Sequence, residues 1–352
     1  MEVRSGLLCW CRAGFEPELA AELGDRAALL GHPGYAQTNR DSGYVVFHCE
    51  DGAALDEALP WRELVFARQK LRLIAELDDL DPADRISPLL SALRESGEGP
   101  FCDTWVEHSD SDEGRPLSGL ARSFGNALRP ALKREGLLDP KAPRRLHVAF
   151  IDGRHAFLAS ADRDDSAPWP LGIPRLRMHA DAPSRSALKL DEALGVLITP
   201  QEREAWLQPG MRAADLGAAP GGWTWVLLRQ GVGVIAIDNG PLRPHLFEIG
   251  QVTHLREDGF SWHPQERLDW MVCDMVEQPI RVAERMATWL REGWCRRMIF
   301  NLKLPMKKRW VETQRCLDLF RAQCGGDVEL RARQLYHDRE EITVFATLRN
   351  AR

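Results

Sequence analysis

The segment Asp215-Leu216-Gly217-Ala218-Ala219-Pro220-Gly221-Gly222-Trp223 holds the strongest local signal in the chain. A predicted strand ends at its first glycine, and a predicted helix opens after its last glycine pair. Small side chains let a ligand approach the backbone, and a helix start offers N–H groups to an anion. The next strand ends at Asp238, where a carboxylate can accept from a ribose diol. Asp258, in Arg256-Glu257-Asp258-Gly259, follows the expected third strand and is placed to accept from an adenine amino group. The spacing is G-x-x-x-G-G with a proline inside, not the G-x-G-x-x-G of a dinucleotide site. No lysine follows, as a phosphate loop requires. A ligand with a carboxylate and a ribose but no phosphate fits better, and S-adenosylmethionine is such a ligand. Ala219, Pro220, Gly221 and Gly222 would form its backbone cradle.

These positions require an α/β scaffold. From about residue 184 the pattern alternates: helix 186–197, strand 211–216, helix 222–230, strand 233–237, strand 268–273, helix 280–290, strand 298–303, helix 310–324, then a hairpin over 328–336 and 342–348. Such alternation implies a mostly parallel sheet with its site at the strands' C-terminal ends. The N-terminal part reads differently. Strands over 7–10, 44–49 and 64–73 alternate with helices over 15–23 and 53–59, giving a small α+β unit for residues 1–76. A second unit over 77–162 has helix 86–94, strand 101–108, helix 117–135 and a hairpin around Asp152-Gly153. Residues 163–184, with Pro168, Pro170, Pro174 and Pro183, read as a linker or an ordered extended arm. The expected fold class is α/β, a Rossmann-like domain over 185–352 behind an α+β N-terminal region.

The glycine segment resembles the cofactor loop of FtsJ-like ribose 2′-O-methyltransferases, which carry a Lys-Asp-Lys-Glu tetrad. The matching positions are Lys189 in Ser186-Ala187-Leu188-Lys189, Asp274 in Val272-Cys273-Asp274-Met275, Lys303 in Asn301-Leu302-Lys303-Leu304, and Glu341 in Arg339-Glu340-Glu341-Ile342. Cys11-Arg12-Ala13-Gly14-Phe15-Glu16 resembles the opening of THUMP-containing RNA-modification enzymes. The proline-rich arm and Asn301-Leu302-Lys303-Leu304-Pro305-Met306-Lys307-Lys308-Arg309 resemble bacterial enzymes that methylate a cytidine ribose in the peptidyl-transferase region of 23S rRNA. The resemblance implies a ferredoxin-like unit, a THUMP-like RNA-binding unit and a Rossmann-like methyltransferase domain. It also implies S-adenosylmethionine as cofactor and 23S rRNA, before subunit assembly, as partner.

The implied chemistry is simple. A sulfonium methyl is already electrophilic, so the main task is to align a ribose hydroxyl, which can contribute about 7–11 kcal/mol. Lys303 would act as base or hydroxyl-steering group, with Asp274 and Glu341 orienting the lysines and Lys189 tuning the charge. A lysine serves as a base when neighbouring positive charge and burial lower its pKa. Asp274 would also meet the methionine end of the cofactor. Ser186 is placed either to bind the methionine carboxylate or to cap its helix.

Charge qualifies this picture. Across 352 residues, 46 Lys and Arg face 52 Asp and Glu, a net of −6 that taken alone disfavours nucleic acid. The average hides unlike parts. Residues 1–114 hold 10 basic and 23 acidic side chains, 115–145 hold 8 and 2, and 296–315 hold 7 and 1. The first basic run includes Arg122, Arg129 and Lys133 on one predicted helix. The second includes Lys307, Lys308 and Arg309 beside Lys303. Both are candidate phosphate contacts.

Other classes recede. No apolar run reaches the roughly 18 residues of a membrane span, and the N-terminus lacks a secretory pattern, so a cytoplasmic protein is expected. The eight cysteines show no zinc spacing; they are expected to be reduced and mostly buried, with no metal bound. The alternatives left open are a methyltransferase acting on tRNA or another RNA, a non-catalytic RNA-binding or ribosome-assembly factor, and a dehydrogenase, the last disfavoured by the loop spacing.

Overall fold

The structure is a computed structural model that describes residues 5–325 and 327–349. Residues 1–4, on which the secretory reading partly rests, lie outside the described residues. The chain divides into two compact units, Met1–Pro174 and Arg175–Arg352.

In chain order the first unit contains β1 (Gly6–Trp10), α1 (Glu16–Leu29), β2 (Gly34–Thr38), β3 (Tyr44–Cys49), α2 (Gly52–Ala58), β4 (Gln69–Leu77), α3 (Ile86–Ser96), β5 (Thr104–His108), α4 (Ser118–Arg134), β6 (Arg144–Phe150) and β7 (Ala156–Asp162). These strands form one seven-stranded sheet in the order β2-β3-β1-β4-β7-β6-β5. The two α+β units expected from the sequence are therefore joined edge to edge. The joint is β4, whose start pairs with β1 through Gln69–Arg72 and whose remainder pairs with β7 from Arg72 to Leu77. The α4 helix lays Phe124, Leu128, Ala131 and Leu132 on the core under the second half of this sheet.

Two differences from the expected elements have physical causes. The strand read over 64–73 starts later, at Gln69, because Val65 and Phe66 donate their backbone N–H groups to the buried Glu22 carboxylate at 2.7 and 2.9 Å. Strand β2 escaped the sequence reading because it is a largely exposed edge strand with no apolar alternation. The first part of the proline-rich stretch is an ordered arm. Ala167 exchanges backbone hydrogen bonds with the Gln69 amide, and Leu171 N–H donates to Glu107 at 2.6 Å. Gly172, at φ +70°, passes so close to the Arg68 carbonyl that a Cβ would stand 1.9 Å from its oxygen.

The first unit also buries a lysine inside an ionic cluster. Lys70 is 1% exposed. Its ammonium meets Asp165 at 2.7 Å and Asp56 at 3.1 Å, and donates to the carbonyls of Asp56 and Leu59 at 2.6 Å each. Arg144 completes the cluster at 2.8 Å from Asp56.

The second unit contains α5 (Ala187–Val196), α6 (Pro200–Trp206), β8 (Arg212–Leu216), α7 (Gly222–Arg229), β9 (Gly233–Ile237), α8 (Leu246–Ile249), β10 (Val252–Leu255), β11 (Leu268–Cys273), α9 (Pro279–Arg291), β12 (Cys295–Lys303), α10 (Arg309–Gln323), β13 (Val328–Arg333) and β14 (Glu341–Leu348). The sheet order is β10-β9-β8-β11-β12-β14-β13. Strands β8 to β12 run parallel, whereas β14 runs antiparallel between β12 and β13. Chain order reverses between β8 and β11, and the crevice past the C-terminal ends of those strands is where such sheets bind ligands. All eight cysteines are free, and five are buried. Among the described residues, no helix is long and apolar enough to cross a membrane.

Replacing Lys70 by Met should destabilise the protein by about 3–5 kcal/mol, because Asp56 and Asp165 lose their shared buried cation. Urea unfolding of the variant against the parent measures this. A loss below about 1 kcal/mol, the worth of a surface pair, would contradict it.

Candidate functional site

The four tetrad positions converge at one rim of the second unit. Lys303 closes β12 and Glu341 opens β14, and sheet register puts them directly opposite each other. Asp274 follows the last residue of β11, and Lys189 lies on the first turn of α5. Lys303 Nζ is 2.5 Å from Asp274 Oδ1 and 3.7 Å from Glu341 Oε2. Lys189 Nζ is 3.4 Å from Asp274 Oδ2 and pairs closely with Glu341 Oε1. Cations and carboxylates thus alternate around a square. Each side chain is 8–23% exposed, so the square is reachable from outside.

Burial alone would lower the pKa of Lys189, but the carboxylates of Asp274 and Glu341 outweigh it and hold the value above the ordinary one. The expectation of a lysine made less basic is thus corrected for Lys189, which stays charged. Lys303 already donates to Asp274.

A second layer of polar groups, absent from the sequence reading, holds the square. Asn301 Nδ2 donates to Asp274 Oδ1 at 2.8 Å, and Thr343 Oγ1 donates to Asn301 Oδ1 at 2.8 Å. These two residues are also direct cross-strand partners. Thr343 Oγ1 also lies 3.0 Å from Asp338 Oδ2, but a hydroxyl has one hydrogen to give. Burial, together with the nearby Glu341 and Glu192 carboxylates, pushes the Asp338 pKa well up, so its protonated form can donate to Thr343 instead. Glu192, one turn after Lys189, accepts from the backbone N–H groups of Tyr336 and His337 at 2.7 and 2.9 Å. That contact latches α5 to the turn before β14. The signal for Asn301 and Glu192 was available as period 2 from Lys303 and spacing of three from Lys189.

The glycine loop lies past the end of β8. Gly217 and Gly221 have φ of +77° and +107°. A Cβ at Gly222 would stand 2.4 Å from Ser186 Oγ and 2.6 Å from Ser184 Oγ. The two hydroxyls, 2.7 Å apart, therefore face the start of α7. Ser186 occupies the N-cap position of α5 but makes no side-chain cap bond, so the capping alternative is not what is seen. Ser184 is a neighbour the sequence reading did not single out. The N-cap residue of α7, Gly221, likewise offers no side-chain cap, and the start of that helix can receive a ligand carboxylate. Asp238, at the end of β9, accepts from Ala219 N–H at 2.9 Å and Gly240 N–H at 2.7 Å, tying loop to strand. Asp258 is exposed and accepts from Phe260 N–H at 3.0 Å. Both keep acceptor capacity for a ligand. These residues fit a cofactor with a carboxylate, a ribose and an adenine: Gly221 and Gly222 with the serines at one end, Asp238 in the middle and Asp258 at the other. Both Asp274 oxygens, by contrast, are engaged by the lysines and Asn301.

The basic candidates divide. Lys307 and Lys308 are exposed. Arg309 is turned away from that role, being 13% exposed and held by Glu340 at 2.6 Å. Arg122 and Lys133 are exposed on α4, whereas Arg129, on the same helix, is bound to Asp103 at 2.5 Å. In the first unit, Glu76, Asp78 and His155 bring ligand atoms within 4.8 Å of one another, a grouping that the spacing of residues along the chain did not announce.

A Rossmann-like sheet with this glycine loop and this square defines an S-adenosylmethionine-dependent methyltransferase, and residues 182–324 match the FtsJ-like methyltransferase model. Residues 4–71 match the RlmM ferredoxin-like domain, and residues 84–161 match the N-terminal domain of ribosomal RNA large subunit methyltransferase M. The ribosomal RNA large subunit methyltransferase M of Xanthomonas axonopodis pv. citri (strain 306) is 68% identical over 97% of this chain and 99% of its own length. That of Xanthomonas campestris pv. campestris (strain B100) is 67% identical over the same shares. The chain belongs to the ribosomal RNA large subunit methyltransferase M family. Among solved structures, TrmN from Thermus thermophilus aligns over 97% of this chain and 99% of its own, at 17% identity and a TM-score of 0.37.

Beneath the glycine loop, burial lifts the pKa of Asp215 to about 7, against the opposing hydrogen bond from Thr224 Oγ1 at 2.6 Å. A raised acid pKa favours the folded state while the group is protonated. That contribution is complete below the unfolded value, about 3.9, and is lost as pH rises through about 7. Asp215→Asn, which can still accept from Thr224, should flatten the fall in stability between about pH 4 and 7. Urea unfolding across that range gives the slope, and an unchanged slope would remove Asp215 as its source.

Proposed function

We propose that this protein transfers the methyl group of S-adenosylmethionine to the 2′-hydroxyl of a cytidine in the peptidyl-transferase region of 23S rRNA, in the cytoplasm and before the subunit assembles. The observation that carries this reading is the alternating square of Lys189, Asp274, Lys303 and Glu341 beside a cofactor loop. The name of the Xanthomonas relatives, ribosomal RNA large subunit methyltransferase M, supports a large-subunit rRNA substrate. We further assign a ferredoxin-like unit to 1–76, a THUMP-like RNA-binding unit to 77–162, an arm to 163–184 and the methyltransferase domain to 185–352.

When bound, S-adenosylmethionine supplies an electrophilic methyl on a sulfonium. The chain's own task is then to position the hydroxyl. Lys303 donates to Asp274 at 2.5 Å, a geometry that suits steering of the hydroxyl lone pair better than abstraction of its proton. Asp274 orients both lysines, and Glu341 balances them from the opposite strand. The hydroxyl proton is given up to solvent, because Asp274 and Glu341 already accept from the two lysines and the square is open to the outside. Ser186, Ala219, Pro220, Gly221, Gly222, Asp238 and Asp258 hold the cofactor. Lys307 and Lys308 meet phosphates beside the target, and Arg122 and Lys133 add contacts on the first unit.

Two experiments test this reading. Mapping alkali-resistant ribose positions in total RNA, with and without the protein, should show one lost 23S rRNA position; no lost rRNA position would overturn the substrate. Lys303→Ala should lower methyl transfer by about 10²–10⁴-fold while calorimetry shows unchanged cofactor affinity. Undiminished transfer would remove Lys303 from its role.

The α4 contacts have their own measure. The Arg122→Ala, Lys133→Ala pair should reduce the slope of log affinity against log salt by about 1.5–2. An unchanged slope would place the RNA elsewhere.

A further inference from the structure

Two apolar side chains beside the tetrad stand in water. Val276 is 89% exposed and Met306 is 83% exposed. Each lies on a loop that leaves a strand next to a tetrad residue: Val276 two positions past Asp274, Met306 three past Lys303. The strands are hydrogen-bonded parallel neighbours, with Cys273 in register with Phe300, so both loops leave the same sheet edge.

Both loops are braced. Met275 packs on the glycine loop, where a Cβ at Gly217 would lie 2.6 Å from its Cγ and a Cβ at Gly259 would lie 3.1 Å from its sulfur. The neighbouring Val276 is left outside that packing. On the other loop, Leu304 is buried and its N–H donates to the Glu340 carbonyl at 2.7 Å. Pro305 fixes the next φ. Lys308, at the left-handed φ of 57°, ends the loop where α10 begins. Single exposed apolar residues are ordinary. A pair on two braced loops, next to a polar catalytic square, is one that the packing of the fold does not call for.

We propose that Val276 and Met306 form an apolar clamp for a nucleobase at the target, holding it out of its stack so that its ribose reaches Lys303. The clamp rests on the reading of the protein as an RNA ribose methyltransferase. A ribose in folded RNA is held in place by the stacking of its base, and apolar side chains that cover an unstacked base replace part of that contact. The exposed Lys307 and Lys308 directly follow Met306 and supply charge complementary to the flanking phosphates. Neither clamp side chain has a hydrogen-bonding group that reads a base edge. The clamp therefore presents the nucleotide without distinguishing cytosine from uracil.

The test uses the full-length protein and a 23S rRNA transcript, comparing the parent with a double variant, Val276→Ser with Met306→Ser. The double variant should lose about tenfold in kcat/KM, mainly through KM. Its cofactor affinity and Tm should match the parent, because neither side chain packs in the core. Met306→Leu alone should stay within about twofold, since it keeps the apolar contact. A transcript with pyrrolocytidine at the methylated position gives a second readout. Its emission should rise on binding the parent and stay low with the double variant. An active parent whose double variant keeps kcat/KM within about twofold, or raises emission equally, overturns the clamp alone. A parent inactive on the transcript overturns the functional reading and the clamp together.

Discussion

Lys303 and Glu341 face each other across the antiparallel pair β12 and β14, and the rest of the second unit is arranged to keep them there. Register is the constraint. A slip of one residue would turn Glu341 to the other side of the sheet and leave Lys189 and Lys303 sharing Asp274 alone. The neighbouring pair two positions inward, Asn301 and Thr343, guards that register with a buried hydrogen bond. An ordinary parallel sheet could not do this, because its strands all end at the rim in the same sense. Inserting β14 in the opposite direction lets one strand finish and the next begin at the same point. That is how a cation from one end and an acid from the other become neighbours.

The cofactor loop and the tetrad are mechanically joined. Asp274 stands at the strand end next to β8, and the following Met275 fills the space that Gly217 leaves by lacking a side chain. Ser184 and Ser186 touch Gly222 just before the helix that carries Lys189. The absence of a Cβ is therefore a packing requirement at both glycines, and at Gly217, with φ +77°, a conformational one as well. The same helix is latched at Glu192 to the turn preceding Glu341. The proposed cofactor site and hydroxyl site share their walls, so on that reading alignment between them is set by contacts already made in the protein.

Much of this was legible in the sequence. The glycine loop and the strands it follows are local signals that period and turn chemistry reveal, and the four tetrad positions come from the resemblance to FtsJ-like enzymes. What was not legible depends on distant partners. Arg309 reads as one more cation in a basic run, but its side chain is claimed by Glu340 across the sheet edge. Arg129 shares a helical face with Arg122 and Lys133 until Asp103, just ahead of β5, takes it. Asp338 looks like a turn residue; only its burial, with Glu341 and Glu192 nearby, shows that its pKa is pushed well above the usual carboxylate range. The apolar run at 64–66 imitates a strand because nothing local announces that Glu22 will take its amides.

Strand β4 serves two halves of one sheet, its first residues pairing with β1 and its later ones with β7. The two N-terminal modules therefore cannot be inherited, lost or transplanted one at a time. A chain cut after residue 77 would leave β4 with an unpaired flank and β7 with another, each a row of bare amides and carbonyls ready to pair with a stranger. Loops and surface of this region away from Arg122 and Lys133 can vary without touching the seam. Its outline, however, is bound to change as a block, because the seam between the modules is made of backbone.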